Sequence, residues 1–481
     1  AVEGALAIRV VQPAPDSPRP AVDSTFIYGS VGTGGAALMI GGAQVPVAPN
    51  GAFIAYLPLP EDGTWRLTAY RGGERAEASV SYRPPSPTRA DSVAAGAGTL
   101  PQGVFPRPAV GVVARGGDTL ATGSDAVFAR PTPTGTYRWF WPLGTRLALV
   151  ERRGAQYRVQ LDTASAWIDT VAVRVDPAAV SLVPARLAGE VAGSADGAEI
   201  RVAAGYAPFL VTTTDSAVSV TVYRSGAPEV QAVANDFVRG AAAAPAGAGS
   251  ATFTASLSRR PWGYRAFHRP DGTLVVRVRR PPAIDSAAPL RGIHVVVDPG
   301  HPPAGATGPT GVYEGDANLA TSLRLAEKLR SAGAQVTLTR TTRDPLRSAT
   351  SAAEELRARA ELAVASGAHL MVSVHNNAFG EGQNPFRAHH TSTYYFHPFS
   401  AGLARALNEE IAPVAQIPNR GALVGNFAVI RPTWLPTALT ESLFMPIPEQ
   451  EAALTNAEFA DRLAQAHLRG IAAFLRRSAD R

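Results

Sequence analysis

Apolar and polar positions alternate with period two in short runs through the first half of the chain, and take on helical spacing only after about residue 290. Phe26-Ile27-Tyr28, Ala37-Leu38-Met39-Ile40, Phe53-Ile54-Ala55-Tyr56 and Trp65-Arg66-Leu67-Thr68 are separated by turn residues, which predicts a small β-sandwich over residues 1–83. Residues 84–108, with Pro84-Pro85, Pro101 and few large apolar side chains, cannot bury a core and are expected to form a semi-rigid linker. The runs at 125–131, 143–147, 157–159 and 166–168 predict a small β-barrel over residues 109–184. Alternation resumes in Val218-Ser219-Val220-Thr221-Val222 and Leu274-Val275-Val276-Arg277-Val278, which predicts a third β-domain over residues 185–282. The Ala/Gly run from Gly240 to Gly249 reads as a flexible loop inside it.

A Pro-rich joint, residues 283–291, precedes a change of pattern. The near-continuous apolar run 293–297 predicts a buried strand. Leu319, Leu323, Ala326 and Leu329 then mark one face of a helix closed by Gly333. Strands are expected at 335–339, 370–374, 393–396, 427–430 and 437–440, with helices at 354–365 and 401–411 and a terminal helix within 449–474. The fold class is therefore multidomain: three small all-β domains followed, over residues 292–481, by an α/β domain with a mostly parallel sheet flanked by helices.

Composition narrows the function classes. At 481 residues, 46% hydrophobic and 17% charged, the chain is globular and too long for one core. It has no apolar run near the roughly 18 residues that span a bilayer. Its first residues carry neither an initiator Met nor a signal pattern, and a start at Ala1 is what removal of a signal peptide would leave. With no cysteine, a metal site must be built from His, Asp and Glu. The net charge of +6 favours anionic surfaces such as cell-wall polymers; the bases are Arg apart from Lys328, and no dense basic run marks a nucleic-acid footprint.

In open α/β sheets ligands gather beyond the carboxyl ends of strands. His301 lies just past the strand ending at Val297, His375 follows Ser373-Val374, Glu441 follows the 437–440 strand, and Glu314 sits at the start of the first helix, on the same edge. Two histidines and two carboxylates there are what a catalytic zinc site and a general base require.

Asp298-Pro299-Gly300-His301, Gly305-Ala306-Thr307-Gly308-Pro309-Thr310-Gly311 with Glu314, Leu338-Thr339-Arg340, Arg359, Ser373-Val374-His375-Asn376-Asn377-Ala378 and Thr440-Glu441-Ser442-Leu443-Phe444 follow in order. Over about residues 291–478 they resemble the zinc-dependent N-acetylmuramoyl-L-alanine amidases. The resemblance implies Zn2+ held by His301, Glu314 and His375, Glu441 as general base and acid, and cleavage of peptidoglycan between the lactyl group and L-alanine. It further implies a periplasmic or secreted, cell-envelope location. The β-modules resemble, in order, bacterial immunoglobulin-like modules, Src-homology-like barrels and the N-terminal targeting domains of envelope amidases. Departures are Pro302-Pro303 in place of the usual Gly-Gly after the first histidine, a slightly shorter loop to Glu314, and Val364 where an Asn is usual. The short 379–390 segment implies that the long inhibitory helix of some relatives is missing, leaving the site open.

Asn377 is read as orienting substrate or as an amide closing a loop. His294 and His369 read as structural, His389, His390 and His397 as loop or groove residues, and His268 and His467 as surface residues. Trp139, Trp141, Trp167 and Trp262 read as core packing before sugar stacking. A zinc peptidase or deacetylase of the cell wall, and a non-catalytic wall-binding protein, are the alternative functions.

Overall fold

Alternation of apolar side chains across each strand accounts for the first sheet pair. In the computed structural model, which describes residues 2–83, 100–114, 126–176, 187–224, 226–347 and 351–479, a three-stranded sheet (Arg9–Gln12, Ser24–Ser30, Ala52–Pro58) accompanies a four-stranded one (Ala43–Val45, Ala37–Ile40, Thr64–Arg71, Glu74–Ser81). Ile27, Leu38, Phe53, Trp65 and Leu67 form their shared core.

A five-stranded sheet follows, ordered Ala164–Asp169, Gln156–Leu161, Arg146–Arg153, Gly103–Val113, Val173–Asp176, with the pair Val127–Ala129 and Trp139–Trp141 beside it. The strand starting at Gly103 lies partly inside the stretch read as linker, whose residues 84–99 fall outside the described residues. Its Pro106 and Pro108 are tolerated because residues 105–108 bulge out of register between the Val104–Glu151 and Ala109–Leu149 pairs, where no ladder N–H is needed.

Two further sheets, one of five and one of four strands, occupy residues 187–279. Gly240–Gly249 is not a loop there: Val238–Gly247 is a strand paired with Ser250–Leu257. Its Ala241 and Ala243 pack on the core, so ladder bonds and tertiary contacts override the weak strand propensity of Ala and Gly. One continuous core joins these two sheets to the five-stranded sheet that starts at Gly103 and its strand pair, and it holds Trp139 and Trp141; Trp262 and Trp167 are buried as well.

The C-terminal α/β domain consists of β1 (His294–Pro299), α1 (Glu314–Ser331), β2 (Gln335–Leu338), α2 (Ala352–Ala365), β3 (Leu370–Asn377), α3 (Pro385–Ala388), β4 (Thr391–Tyr395), α4 (Ala401–Ala415), β5 (Asn419–Val424), β6 (Thr437–Phe444), α5 (Pro448–Thr455) and α6 (Ala457–Ala479). The sheet order is β2-β1-β3-β6-β4-β5. Neighbours run parallel except β4 against β6, so the sheet is mixed. Val295 and Val297 point into the core with α1, α4 and α6, and Val296 points to the other face, with α2. A capping box, Ser351 with Glu354, starts α2.

Several expectations fail here for local reasons. The apolar run 427–430 forms a short 3-10 turn, Ala428–Ile430, and the strand is instead the edge segment Asn419–Val424, hidden from pattern reading by Asn419, Arg420 and Gly421. The terminal helix is two helices, because Asn456 is extended and its side chain caps Glu458 N and Phe459 N. His467 is fully buried rather than on the surface, between Thr440 Oγ1 (2.9 Å) and Leu463 O (2.8 Å). His268 is only partly buried, 3.1 Å from Thr145 Oγ1. His294 and His369 pair structurally, His294 N donating to His369 Nδ1 at 2.9 Å.

The β-units pack directly on the α/β domain. Trp262 stacks on Phe474 and donates to His369 O. Phe140 meets Phe396, and Phe26 meets Phe379. No helix among the described residues is long and apolar enough to cross a membrane.

Candidate metal centre

The carboxyl ends of β1 and β3 and the first residue of α1 meet at one point. His301 Nε2 lies 3.1 Å from Glu314 Oε2, and His375 Nδ1 lies 3.4 Å from Glu314 Oε1. One donor atom from each of the three residues lies within 4.8 Å of the others, and this is the one such His/carboxylate group among the described residues. Burial alone would raise the Glu314 carboxyl, but the hydrogen-bonding imidazoles hold it well below the usual carboxylate range. Burial likewise pulls His301 down, and Glu314 beside it outweighs this and leaves it raised. Two imidazoles and one carboxylate, without thiolates, suit zinc with an open coordination position.

The His301 turn is held by its neighbours. His301 sits at φ 58°, in the left-handed region that costs a non-glycine residue about 1–2 kcal/mol. Its Nδ1 is 3.0 Å from Pro303 O, which fixes that nitrogen as the N–H and turns Nε2 toward Glu314. Arg359 donates to Pro302 O (2.7 Å) and Pro299 O (2.8 Å) and pairs with buried Asp298 (2.9 Å). Arg340 bonds Gly300 O (2.8 Å) and Gly315 O (2.7 Å). Asp298 also accepts from Ser373 Oγ at 2.6 Å and Thr339 Oγ1 at 2.5 Å. Gly300 is required: a Cβ there would lie 2.3 Å from His375 Cε1.

Glu314 is oriented by Ala306 N (3.0 Å), Asn376 N (3.2 Å) and Asn318 Nδ2 (3.2 Å). The loop before it is anchored by buried Glu451, which accepts from Thr310 N and Val312 N.

Glu441 faces the same cavity, of about 350 Å³, as His301, Glu314 and His375. Its position follows from register, since β3 and β6 place His375 beside Glu441. Glu441 Oε2 is buried without a hydrogen-bond partner among the described residues. Burial, then the Glu314 charge, pushes its carboxyl well above the ordinary value. Such a group suits proton transfer.

Asn377 lines this cavity while its Oδ1 accepts from Ala378 N at 2.8 Å, so it stands at the site and also closes a loop. His397 is buried against Arg431 O, and His389 and His390 bond Pro385 O and Ala388 O; none of the three lines the cavity. Residues 379–390 carry only the four-residue α3 and lie against the N-terminal sandwich. A larger cavity, about 990 Å³ and bounded by Pro46–Pro49 and α4, does not contain the His/carboxylate group.

The sequence motifs contained Asp298, Arg340, Arg359 and Asn376 without a role for them, and Asn318 and Glu451 went unnoticed. Buried polarity was the available signal for Asn318, on the core face of α1; Glu451 gave none.

The family model for N-acetylmuramoyl-L-alanine amidases matches residues 295–473. N-acetylmuramoyl-L-alanine amidase LytC of Bacillus subtilis (strain 168) is 30% identical over 194 residues, which is 39% of this chain and 36% of LytC. The probable cell wall amidase LytH of Staphylococcus aureus is 30% identical over 187 residues, 38% of this chain and 58% of LytH. The catalytic domain of CwlV, an N-acetylmuramoyl-L-alanine amidase from Bacillus (Paenibacillus) polymyxa var. colistinus, is 32% identical; the match covers 38% of this chain and 98% of that one, with a TM-score of 0.34. The chain thus spans about a third of the length of LytC.

Proposed function

Residues 295–473 belong to the N-acetylmuramoyl-L-alanine amidase family, and from that premise we propose that the chain hydrolyses peptidoglycan at the amide between the muramoyl lactyl group and L-alanine. The observation that carries this reading is the convergence of His301, Glu314 and His375 within 4.8 Å, beside a buried carboxylate whose Oε2 lacks a partner among the described residues. The three donors would hold Zn2+, which when bound lowers the pKa of a water to about 7 and polarises a carbonyl.

Glu441 takes a proton from the attacking water as the oxygen bonds to the lactyl carbonyl carbon. It returns that proton to the L-alanine nitrogen as the C–N bond breaks, leaving a lactyl carboxylate and a free amine. Val429 and Leu439 supply apolar wall beside these groups. Asn377 stands where its amide can orient the substrate.

The remaining segments are read as modules of an envelope protein: an immunoglobulin-like sandwich over 1–83, a linker that ends before the strand starting at Gly103, a Src-homology-like barrel from that strand to 184 and a targeting β-domain over 185–282, joined by 283–291 to the catalytic domain 292–481 with its mostly parallel sheet. A periplasmic or secreted location follows from the substrate, peptidoglycan.

Mass spectrometry of sacculi digested by the full chain tests the reaction. New L-alanine amino termini and intact lactyl-sugar ends are expected. Loss of a terminal D-amino acid, or of acetyl groups, would assign a peptidase or a deacetylase instead, and unaltered sacculi a binding protein.

A further inference from the structure

A second cavity adjoins the one over the His/carboxylate cluster. Gly305, Ala306 and Ala378 line both, and the second has a volume of about 320 Å³. Val11, Gln12 and Phe26 of the N-terminal sandwich also line that second cavity. The second cavity is therefore shared by two parts of the chain more than 270 residues apart in sequence, as the separation of Tyr28 and Thr307 (279) shows.

The sandwich is bonded to the loops on either side of this cavity. Tyr28 donates to Thr307 O (3.0 Å) on one side. On the other, Glu381 accepts from Gln12 Nε2 (2.9 Å) and Thr25 Oγ1 (3.0 Å), and Gly382 O accepts from Tyr56 (3.1 Å). Phe26 packs edge-on to Phe379, which stacks on Phe444 of β6 at 4.6 Å. A module that only tethered the enzyme to the wall would need none of these contacts.

The lining has a definite chemistry. It combines apolar Val11 and Phe26 with the neutral amide of Gln12 and the hydroxyls of Tyr28 and Thr307, and among the described residues it holds no Lys, Arg or His. The stem peptide of peptidoglycan carries free carboxylates, which such a wall leaves unpaired. Sugar rings offer apolar faces and neutral hydroxyls, which aromatic and aliphatic surface plus an amide can match. We propose that the N-terminal sandwich supplies a glycan subsite of the amidase, in which Val11 and Gln12, over the buried ring of Phe26, receive the sugar next to the muramoyl residue being cut. This rests on the amidase reading above.

The test compares kcat/KM of the full chain on a muramoyl-peptide monosaccharide and on a tetrasaccharide with the same peptide, with a second pair in which the peptide is lengthened on a fixed glycan. The wild-type chain is expected to favour the tetrasaccharide by about tenfold or more. Val11→Trp, which fills the cavity, should abolish that preference and leave the monosaccharide rate within about twofold, with unchanged zinc content. Gln12→Ala, a milder change, should reduce the preference without disturbing the fold. Equal loss on both glycans would make the contact structural and overturn the proposal. So would a wild-type chain indifferent to glycan length, or a variant that loses dependence on peptide length instead. A zinc-loaded wild-type chain that cleaves neither substrate sinks the amidase reading itself, a result distinct from the others.

Discussion

Tyr28 donates its hydroxyl to the carbonyl of Thr307 at 3.0 Å and so bonds a strand of the N-terminal sandwich to the loop between His301 and Glu314. Burial first, then the charges of Glu451 and Glu381, pushes the Tyr28 phenol up to about 12. The phenol therefore remains a donor through neutral and moderately alkaline pH. The loop is held from the other side by Glu451, so both bonds bear on how Glu314 is presented.

Tyr28→Phe removes one neutral hydrogen bond, worth about 0.5–1.5 kcal/mol net, and keeps the ring. A few-fold fall in kcat/KM on sacculus digests is expected, with zinc content unchanged. Because the phenol stays protonated, the gap between wild type and variant should persist to about pH 10. A gap that closes on going from pH 7 to pH 10 contradicts this account.

Arg359 and Asp298 are both essentially inaccessible to solvent, at 1% and 0% exposure, and Arg359 also spans Pro299 O and Pro302 O. Removing Arg359 leaves two buried carboxylates, Asp298 and Glu355, without their cation, at a cost of about 3–5 kcal/mol or more. Arg359→Met should lower both the unfolding temperature and the zinc occupancy, since the His301 turn loses its anchors. The double change Arg359→Met with Asp298→Asn should recover part of the stability but not the occupancy. Calorimetry and elemental analysis on both variants check this, and additive losses would show that the pair is not coupled.

How much of this was legible in the sequence depended on what kind of contact fixes each feature. The strand-end positions of His301, His375 and Glu441 could be read because a parallel sheet delivers its loops to one edge whatever the detailed packing. The buried supports could not, since Arg359 reaches Asp298 across 61 positions and Glu451 reaches Thr310 across 141. Val238–Gly247 was misread because its composition is that of a loop and only its partner strand makes it a ladder. His467 was misread for a different reason: it lies on the helix face toward β6, where Thr440 satisfies its ring, and no local pattern announces that partner. The docking of the sandwich against the site was invisible, as it depends on side chains meeting across separate folding units.

His467 provides a pH test. Its Nδ1 faces Leu463 O and so carries the hydrogen, which makes Nε2 the acceptor for Thr440 Oγ1. Burial lowers its pKa to about 4, against 6.5 for an ordinary histidine. The folded state therefore binds fewer protons than the unfolded chain between these values, and stability falls as pH drops from 6.5 toward 4. The full loss is about 3 kcal/mol, at about 1.4 kcal/mol per unit. His467→Gln should start less stable at pH 8 and show a shallower acid slope. Parallel slopes for the two proteins in urea unfolding between pH 8 and 4.5 would rule out His467 as a source of acid sensitivity.

Glu441→Gln separates chemistry from metal binding. Gln fills the same space beside His375 but cannot accept the proton of the attacking water, so turnover should fall by about 10²–10⁴. Zinc content should stay at the wild-type level, because His301, Glu314 and His375 are untouched; His375→Ala should lose metal and activity together. The change should also alter stability, with a sign that follows from burial. The Glu441 carboxyl is raised by burial and by Glu314, so its folded form binds a proton more readily than the unfolded chain does. Its contribution is fully present below the unfolded pKa and is lost as pH rises through the folded one. In chelator-stripped protein, Glu441→Gln should therefore unfold at a higher temperature than wild type at pH 8, and the difference should shrink toward pH 4. Wild-type activity in the variant removes Glu441 from the reaction, and loss of zinc from it makes Glu441 a ligand.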